Sequence, residues 1–209
     1  MIASFTRALV FGSIAVLAAC SSSSTDTTAD AGGATPDTGT TSTGTTSLPV
    51  NAQTPPATNS AAVEAWITAG SYKTWHCETA PHDARSPSPH GTNRICSNDL
   101  TNGFSGTGER PVGSAGVKEL YDGTGKTIVG YAVYLKTKAA SDGGNTWYWY
   151  ERVPLDSGVP HDAKGVVADG FGDTTNPKLI CVSCHGAAGS DAAHTPSPGS
   201  GDQVYTQVK

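Results

Sequence analysis

The sequence predicts a mainly β, α+β domain: an antiparallel sheet with a few short helices, one of them near the C-terminus and carrying a Cys-x-x-Cys-His motif. Three observations support that class. Residues 116–121, 127–136 and 146–153 alternate with a period of two and are rich in β-branched and aromatic side chains, as half-buried antiparallel strands require. Asp122-Gly123-Thr124-Gly125 has the composition of a hairpin turn between the first two. Helical periodicity is confined to short stretches, and no internal repeat is visible.

The N-terminus reads as an export signal. Arg7 gives a short positive region, residues 8–16 are apolar, and Leu17-Ala18-Ala19-Cys20 follows. The small residues before Cys20 suit a signal peptidase. The tetrapeptide also resembles a bacterial lipobox, in which the cysteine is lipidated and becomes the first residue of the mature chain. The other reading is an ordinary secretory signal that contains a cysteine. On the lipobox reading residues 1–19 are the signal, and acyl chains on Cys20 anchor the protein without spanning the membrane. Ser21 permits sorting to the outer membrane, with the protein facing the periplasm or the surface. Residues 20–58 are then a lipid anchor and a Ser/Thr-rich tether, which has too little apolar surface to offset the entropy of ordering it. Residues 59–209 are the globular domain, long enough for one core.

A short helix opens the domain. Asn59 or Ser60 caps it, Val63, Trp66 and Ile67 share a face, and Gly70 ends it. Residues 79–115 are rich in Pro, Gly, Ser and Asn and read as ordered loop, with a strand at 93–97. In the strand at 116–121, Val117, Glu119 and Tyr121 alternate with Lys118 and Leu120. The next strand puts Val129, Tyr131, Val133 and Leu135 on one face. The third opposes Trp147 and Trp149 to Tyr148 and Tyr150. Residues 154–178 read as loop, and a short helix at 178–186 carries the motif. Gly125-Lys126-Thr127 looks like the end of a phosphate-binding loop but lacks the upstream glycine and the following helix, so it belongs to the hairpin. The aromatic run reads as sheet core rather than a stacking platform, because no basic patch accompanies it.

A net charge of −5 argues against a nucleic-acid partner, which needs a basic face. No window inside the chain approaches the roughly 20 apolar residues of a membrane span. The five cysteines say more. With Cys20 lipidated, four remain, and Cys181-Val182-Ser183-Cys184-His185 is the attachment signature of one covalent haem c. Two thiols on one helical turn reach two vinyl groups, and His185 reaches the iron as its proximal ligand. The pair has two other readings. A redox dithiol calls for a βαβ setting that is absent here. A zinc site would be completed by Cys77 and Cys96. Export favours haem. Cys77 and Cys96 are then left to pair as a disulfide in an oxidising compartment, worth about 3 kcal/mol in the chain-entropy model. Met1 is the single methionine and leaves with the signal, so a methionine sixth ligand is excluded. His76, His82, His90, His161 and His194 are the candidates for a second histidine ligand. Without one, the open position binds or activates a small molecule.

A family resemblance adds to this. Gly116-Val117-Lys118-Glu119-Leu120-Tyr121, Val129-Gly130-Tyr131-Ala132-Val133, Trp147-Tyr148-Trp149-Tyr150-Glu151, the haem motif and Asp202-Gln203-Val204-Tyr205-Thr206 follow one another within about residues 60–209. In that order they resemble the cytochrome P-460 family and its relative cytochrome c′-beta. The resemblance implies a β-rich monohaem fold, often a homodimer, acting on small nitrogen species such as hydroxylamine or NO. It implies that Lys118 stands at the family's haem-cross-linking lysine and that Arg94 matches an arginine of the haem pocket. On the residues alone, Lys118 is an exposed strand lysine. The family's hydroxylamine oxidisers carry a distal carboxylate on the strand after the lysine. Residues 127–136 contain no Asp or Glu, and Ala132 and Tyr134 stand nearest that place. Asp83, Asp99 and Glu109 are loop carboxylates that could take the role. Three functions are therefore expected to compete. The first is a haem enzyme that oxidises hydroxylamine and passes electrons to an external acceptor. The second is a protein that captures NO without turnover. The third is a bis-His electron carrier.

Overall fold

Six strands form one antiparallel sheet in which each strand pairs with its neighbours in sequence. They are β1 (His76–Cys77), β2 (Asn93–Ser97), β3 (Ala115–Tyr121), β4 (Ile128–Lys136), β5 (Trp147–Arg152) and β6 (Val166–Phe171). The computed structural model describes residues 53–85, 88–105, 108–195 and 197–208. Residues 1–52, which hold the expected signal peptide, Cys20 and most of the expected tether, lie outside them. Among the described residues no helix is long and apolar enough to cross a membrane. The ordered domain begins slightly earlier than expected: Pro55 is buried and Ala57 packs on the core.

One face of the sheet is covered by α1 (Ser60–Thr68), and a second short helix, α2 (Asp99–Asn102), follows β2. Asn59 caps it by accepting from the Ala62 N–H, and Gly70 follows with φ 72°, a value glycine adopts without cost. Val63 and Ile67 pack with Tyr72, Trp75, Cys96, Val117, Val133, Leu135, Tyr148 and Tyr150. Each large side chain so buried contributes roughly 1.5–3 kcal/mol before entropy is counted. The Ser60 N–H and the Tyr148 hydroxyl both donate to Asp169, tying the helix start to β6. The Tyr150 hydroxyl and Arg152 donate to Glu64, tying its middle to β5.

The hairpin joining β3 and β4 turns on Asp122, whose Oδ1 accepts from the N–H groups of Thr124, Lys126 and Thr127 and from the Thr124 hydroxyl. Those bonds, the Thr124 hydroxyl first, hold its pKa down to about 2. A bulge at Leu120/Tyr121 leaves Val129 unpaired between Gly130 and Ile128. Val129 therefore does not join Val133 and Leu135 in the core under α1, as the alternation predicts, but borders the cavity described below.

Two strands were not expected. β1 is only two residues long, too short to show a period. β6 lies within residues 154–178; its Asp169-Gly170 reads as a turn, whereas Asp169 is paired with Tyr150 and Gly170 with Trp149. Cys77 and Cys96 face each other across β1 and β2 and are joined by a disulfide, as the count of cysteines implied. That bond removes both sulfurs from any zinc site. The chain then crosses the second face of the sheet through a π-helical turn, Pro177–Val182, which runs into α3 (Ser183–His185).

Candidate functional site

Period two sorts the second face of the sheet into rows. Lys118 pairs with Ala132, and Ala132 with Glu151, so a lysine and a carboxylate face the same side with one small residue between them. At the strand spacing their backbones are about 10 Å apart. The adjacent row runs Gly116, Tyr134, Trp149, Gly170. A Cβ on Gly116 would collide with the Tyr134 ring, so glycine is needed for that ring to lie flat on the sheet. The sheet thus offers an aromatic floor beside a polar strip.

α3 closes over that floor. The His185 ring lies 4.8 Å from Trp149, 6.5 Å from Tyr134 and 5.6 Å from Tyr205. Between the sheet and this segment is a cavity of about 490 Å³, within the range of cofactor sites. Lys118, Ala132, Tyr134, Trp149 and Glu151 line it from the sheet, and Cys181, Cys184 and His185 from the helical turn. Neither Cys181 nor Cys184 is in a disulfide. The Tyr205 hydroxyl donates to the Cys184 carbonyl at 2.9 Å and holds α3 down.

The protonation of His185 follows from its partner. Nδ1 is 2.6 Å from the Gln203 carbonyl, which can only accept, so Nδ1 carries the proton and Nε2 the lone pair. Burial pushes the pKa down to about 3; the Gln203 bond opposes this, while Lys118 and His90 add to it. The ring is neutral, the form that ligates metals. Burial likewise pushes the Cys181 thiol up, so it stays protonated. Lys118 is held down to about 8, by burial against the opposing pull of Glu151 and Glu78. What exposure it has is to the cavity, so it is not the solvent-facing strand lysine that its residues alone suggest.

Arg94 is a correction. It stands opposite Glu119 on β3 and donates to it at 2.7 and 3.0 Å, on the face covered by α1. β2 alternates like any strand, so Asn93 and Ile95 border the cavity while Arg94 points away. The arginine at the cavity is Arg85, which bonds Glu78 at 3.1 Å and the Thr206 hydroxyl at 3.3 Å.

The loop carboxylates are also elsewhere. Asp83 accepts from Thr92, Asp99 pairs with His76, and Glu109 lies by Lys136 and Ser141. The carboxylate on the wall is Glu151. The sequence held a signal for it: Glu151 is two residues beyond Trp149 and so shares its face, and it is the cross-strand neighbour of Ala132. Among the histidines, His76, His161 and His194 bond away from the cavity. His82 borders it, but its nitrogens face Glu78 and the Asp83 carbonyl. His90 is different: its buried Nδ1 lies 3.3 Å from Glu151 Oε1 without hydrogen-bond alignment.

Comparison of the chain with protein-family models, with curated proteins and with solved structures finds no match. The site has to be read from its own chemistry.

Proposed function

We propose that the protein is an exported, lipid-anchored c-type monohaem protein of the cytochrome P-460 type that oxidises hydroxylamine or a related small nitrogen compound. The observation that carries this is His185. Its Nδ1 is committed to a backbone carbonyl, its Nε2 is left with a lone pair, and both thiols of its motif border the same cavity. Those residues fit a covalent haem: Cys181 and Cys184 would take the two vinyl groups and His185 the iron. Bound there, the haem would supply an iron that takes electrons from a small ligand and yields them to an external acceptor.

The chain's own residues supply the rest. The Trp149 and Tyr134 rings give the cavity an apolar floor. Oxidising hydroxylamine releases protons, so a base in the cavity is needed. Glu151 is that base, and His90 Nδ1, 3.3 Å from Oε1, is placed to take the proton onward. Lys118 holds an amine that is part neutral near pH 8 and therefore nucleophilic, which supports a cross-link to the ring; forming it would replace a ring C–H and an amine N–H and so would need a two-electron oxidant such as a peroxide.

The test is maturation of the full chain with haem c. Intact mass should rise by one haem that survives denaturation, and the Cys181→Ala, Cys184→Ala double variant should lose it. Glu151→Gln should lower hydroxylamine turnover about 100-fold with the haem retained. A mature protein that binds NO but never turns over hydroxylamine would instead be a capture protein. A second reading, the bis-His carrier, is favoured by the place of His90 on the wall. A low-spin resting spectrum that His90→Ala converts to high-spin would establish it.

A further inference from the structure

We infer that the buried Lys136–Asp202 ion pair is a positioning device for His185: it holds the left-handed turn whose Gln203 carbonyl accepts the hydrogen bond of the imidazole Nδ1–H. Its consequence for ligation rests on the haem reading proposed above; the contact itself does not.

The starting point is the backbone. Asp202 and Gln203 have φ of 44° and 72°, two successive non-glycine residues in the left-handed region. Such residues persist only where their surroundings hold them, and they gather at functional sites. The turn is closed by the Gly201 and Val204 backbones, which exchange N–H···O bonds of 2.8 and 3.1 Å. It delivers the Gln203 carbonyl to within 2.6 Å of His185 Nδ1.

What holds the turn is a buried polar cluster at the end of β4. Lys136 is fully buried, and its Nζ donates to Asp202 Oδ2 at 2.8 Å and to Ser141 Oγ at 2.5 Å. The Ser141 hydroxyl donates to the other Asp202 oxygen. The Arg110 N–H donates to Asp202 at 2.5 Å, while its guanidinium donates to the carbonyls of Gly199 and Gly201. Every polar group of the Asp202 carboxylate is thus committed. Neither Lys136 nor Asp202 borders the cavity, so the proposed chemistry does not use them directly. Stability does not explain them either, since apolar residues of similar volume commonly replace a buried ion pair without loss. Placement of the carbonyl does. A carbonyl on Nδ1 fixes the tautomer, the ring's orientation and the basicity of Nε2.

The experiment reads the His185 ring in the full chain prepared without haem and labelled with ¹⁵N-histidine. Wild type should show the Nδ1–H tautomer with a slowly exchanging proton. In Lys136→Met, with the Val63 and Ile67 methyl resonances unchanged, that proton should exchange at least tenfold faster and the Nε2–H tautomer should appear. Val63→Ala weakens the core on the other face of the sheet and should leave the proton protected. Unchanged tautomer and protection in Lys136→Met overturn the inference, as does equal loss in Val63→Ala. The near-isosteric Asp202→Asn carries the same readout where Lys136→Met does not fold. No haem is needed, so a chain that never takes haem would end the haem reading and still decide this one.

Discussion

Lys118 and Glu119 are neighbours in sequence and opposites in surroundings. Lys118 has its amine in an apolar cavity, held down to about 8, by burial first. A charged amine in such a place costs stability. The cost is full below pH 8, where the lysine is charged in both folded and unfolded chains. It is relieved as pH rises from 8 towards the unfolded value near 10.4, because there the unfolded chain binds more protons. Lys118→Met should therefore raise the stability of the haem-free chain at pH 7 by about 1–2 kcal/mol, less than the bare shift because Glu151 loses a cation neighbour. Urea unfolding at pH 7 and pH 10 checks this, and the gain should shrink at the higher pH. Glu119 has the reverse logic. It is fully buried, and burial pushes its pKa up, but hydrogen bonds from Arg94, Tyr72 and Tyr121 outweigh that and bring it below the usual range. Its contribution is present above the unfolded carboxylate pKa and is lost as acid brings the pH down through the folded value. Arg94→Leu leaves that carboxylate without its cation and should cost about 3–5 kcal/mol. On the haem reading proposed above, the same variant, once matured, should keep the optical spectrum of the wild-type site. A changed spectrum would return Arg94 to the pocket.

At the scale of elements, the loop between β1 and β2 is the least regular wall of the cavity and the one most dependent on a covalent bond. It contributes His82, Arg85 and His90 to the wall, yet β1 is two residues long and makes only one ladder partner, β2. The Cys77–Cys96 disulfide closes the loop. Cys77→Ala with Cys96→Ala should lower stability by about 3 kcal/mol. Amide exchange should quicken first at Glu78 and His82, whose N–H groups bond the Ile95 and Asn93 carbonyls. Equal exchange in both forms would mean that side-chain bonds to Glu78 suffice. The same elements show what a sequence can disclose. β3 through β5 and α1 were legible because each carries a period in its apolar residues, and the Asp122 turn because its chemistry is local. β6 was not, since Asp169-Gly170 has turn composition and pairs only because β5 lies beside it. The Cys-x-x-Cys-His motif was legible as a local pattern. The wall opposite it was not: which side of β2 carries Arg94, and which of Lys118 and Glu119 meets the cavity, are decided by what covers each face.

For the whole molecule, the two faces of the sheet differ in what they need. The face under α1 is complete in itself, with Val63, Tyr72, Cys96, Val117, Tyr148 and Tyr150 buried against one another. On the other face, Trp147, Trp149, Ala168, Cys181 and Val204 form a smaller cluster beside a cavity of about 490 Å³. The segment that roofs it is a π-helical turn and a three-residue α3, held by bonds such as those of His185 to Gln203 and Tyr205 to Cys184. Short helices gain little from their own hydrogen bonds, so a roof of this kind depends on what it packs against. The haem-free chain should therefore fold, with a stable sheet and a roof that opens locally. Native-state hydrogen exchange should give β3, β4 and β5 amides the full unfolding free energy, and residues 177–188 and 201–206 at least 2 kcal/mol less. On the haem reading proposed above, attachment through Cys181 and Cys184 would cross-link the roof to a ligand lying in the cavity. Protection in those two segments should then rise to the level of the sheet while the α1 face stays unchanged. Uniform protection in the haem-free chain would mean that the roof packs without a ligand, and the cavity would lose its standing as a cofactor site.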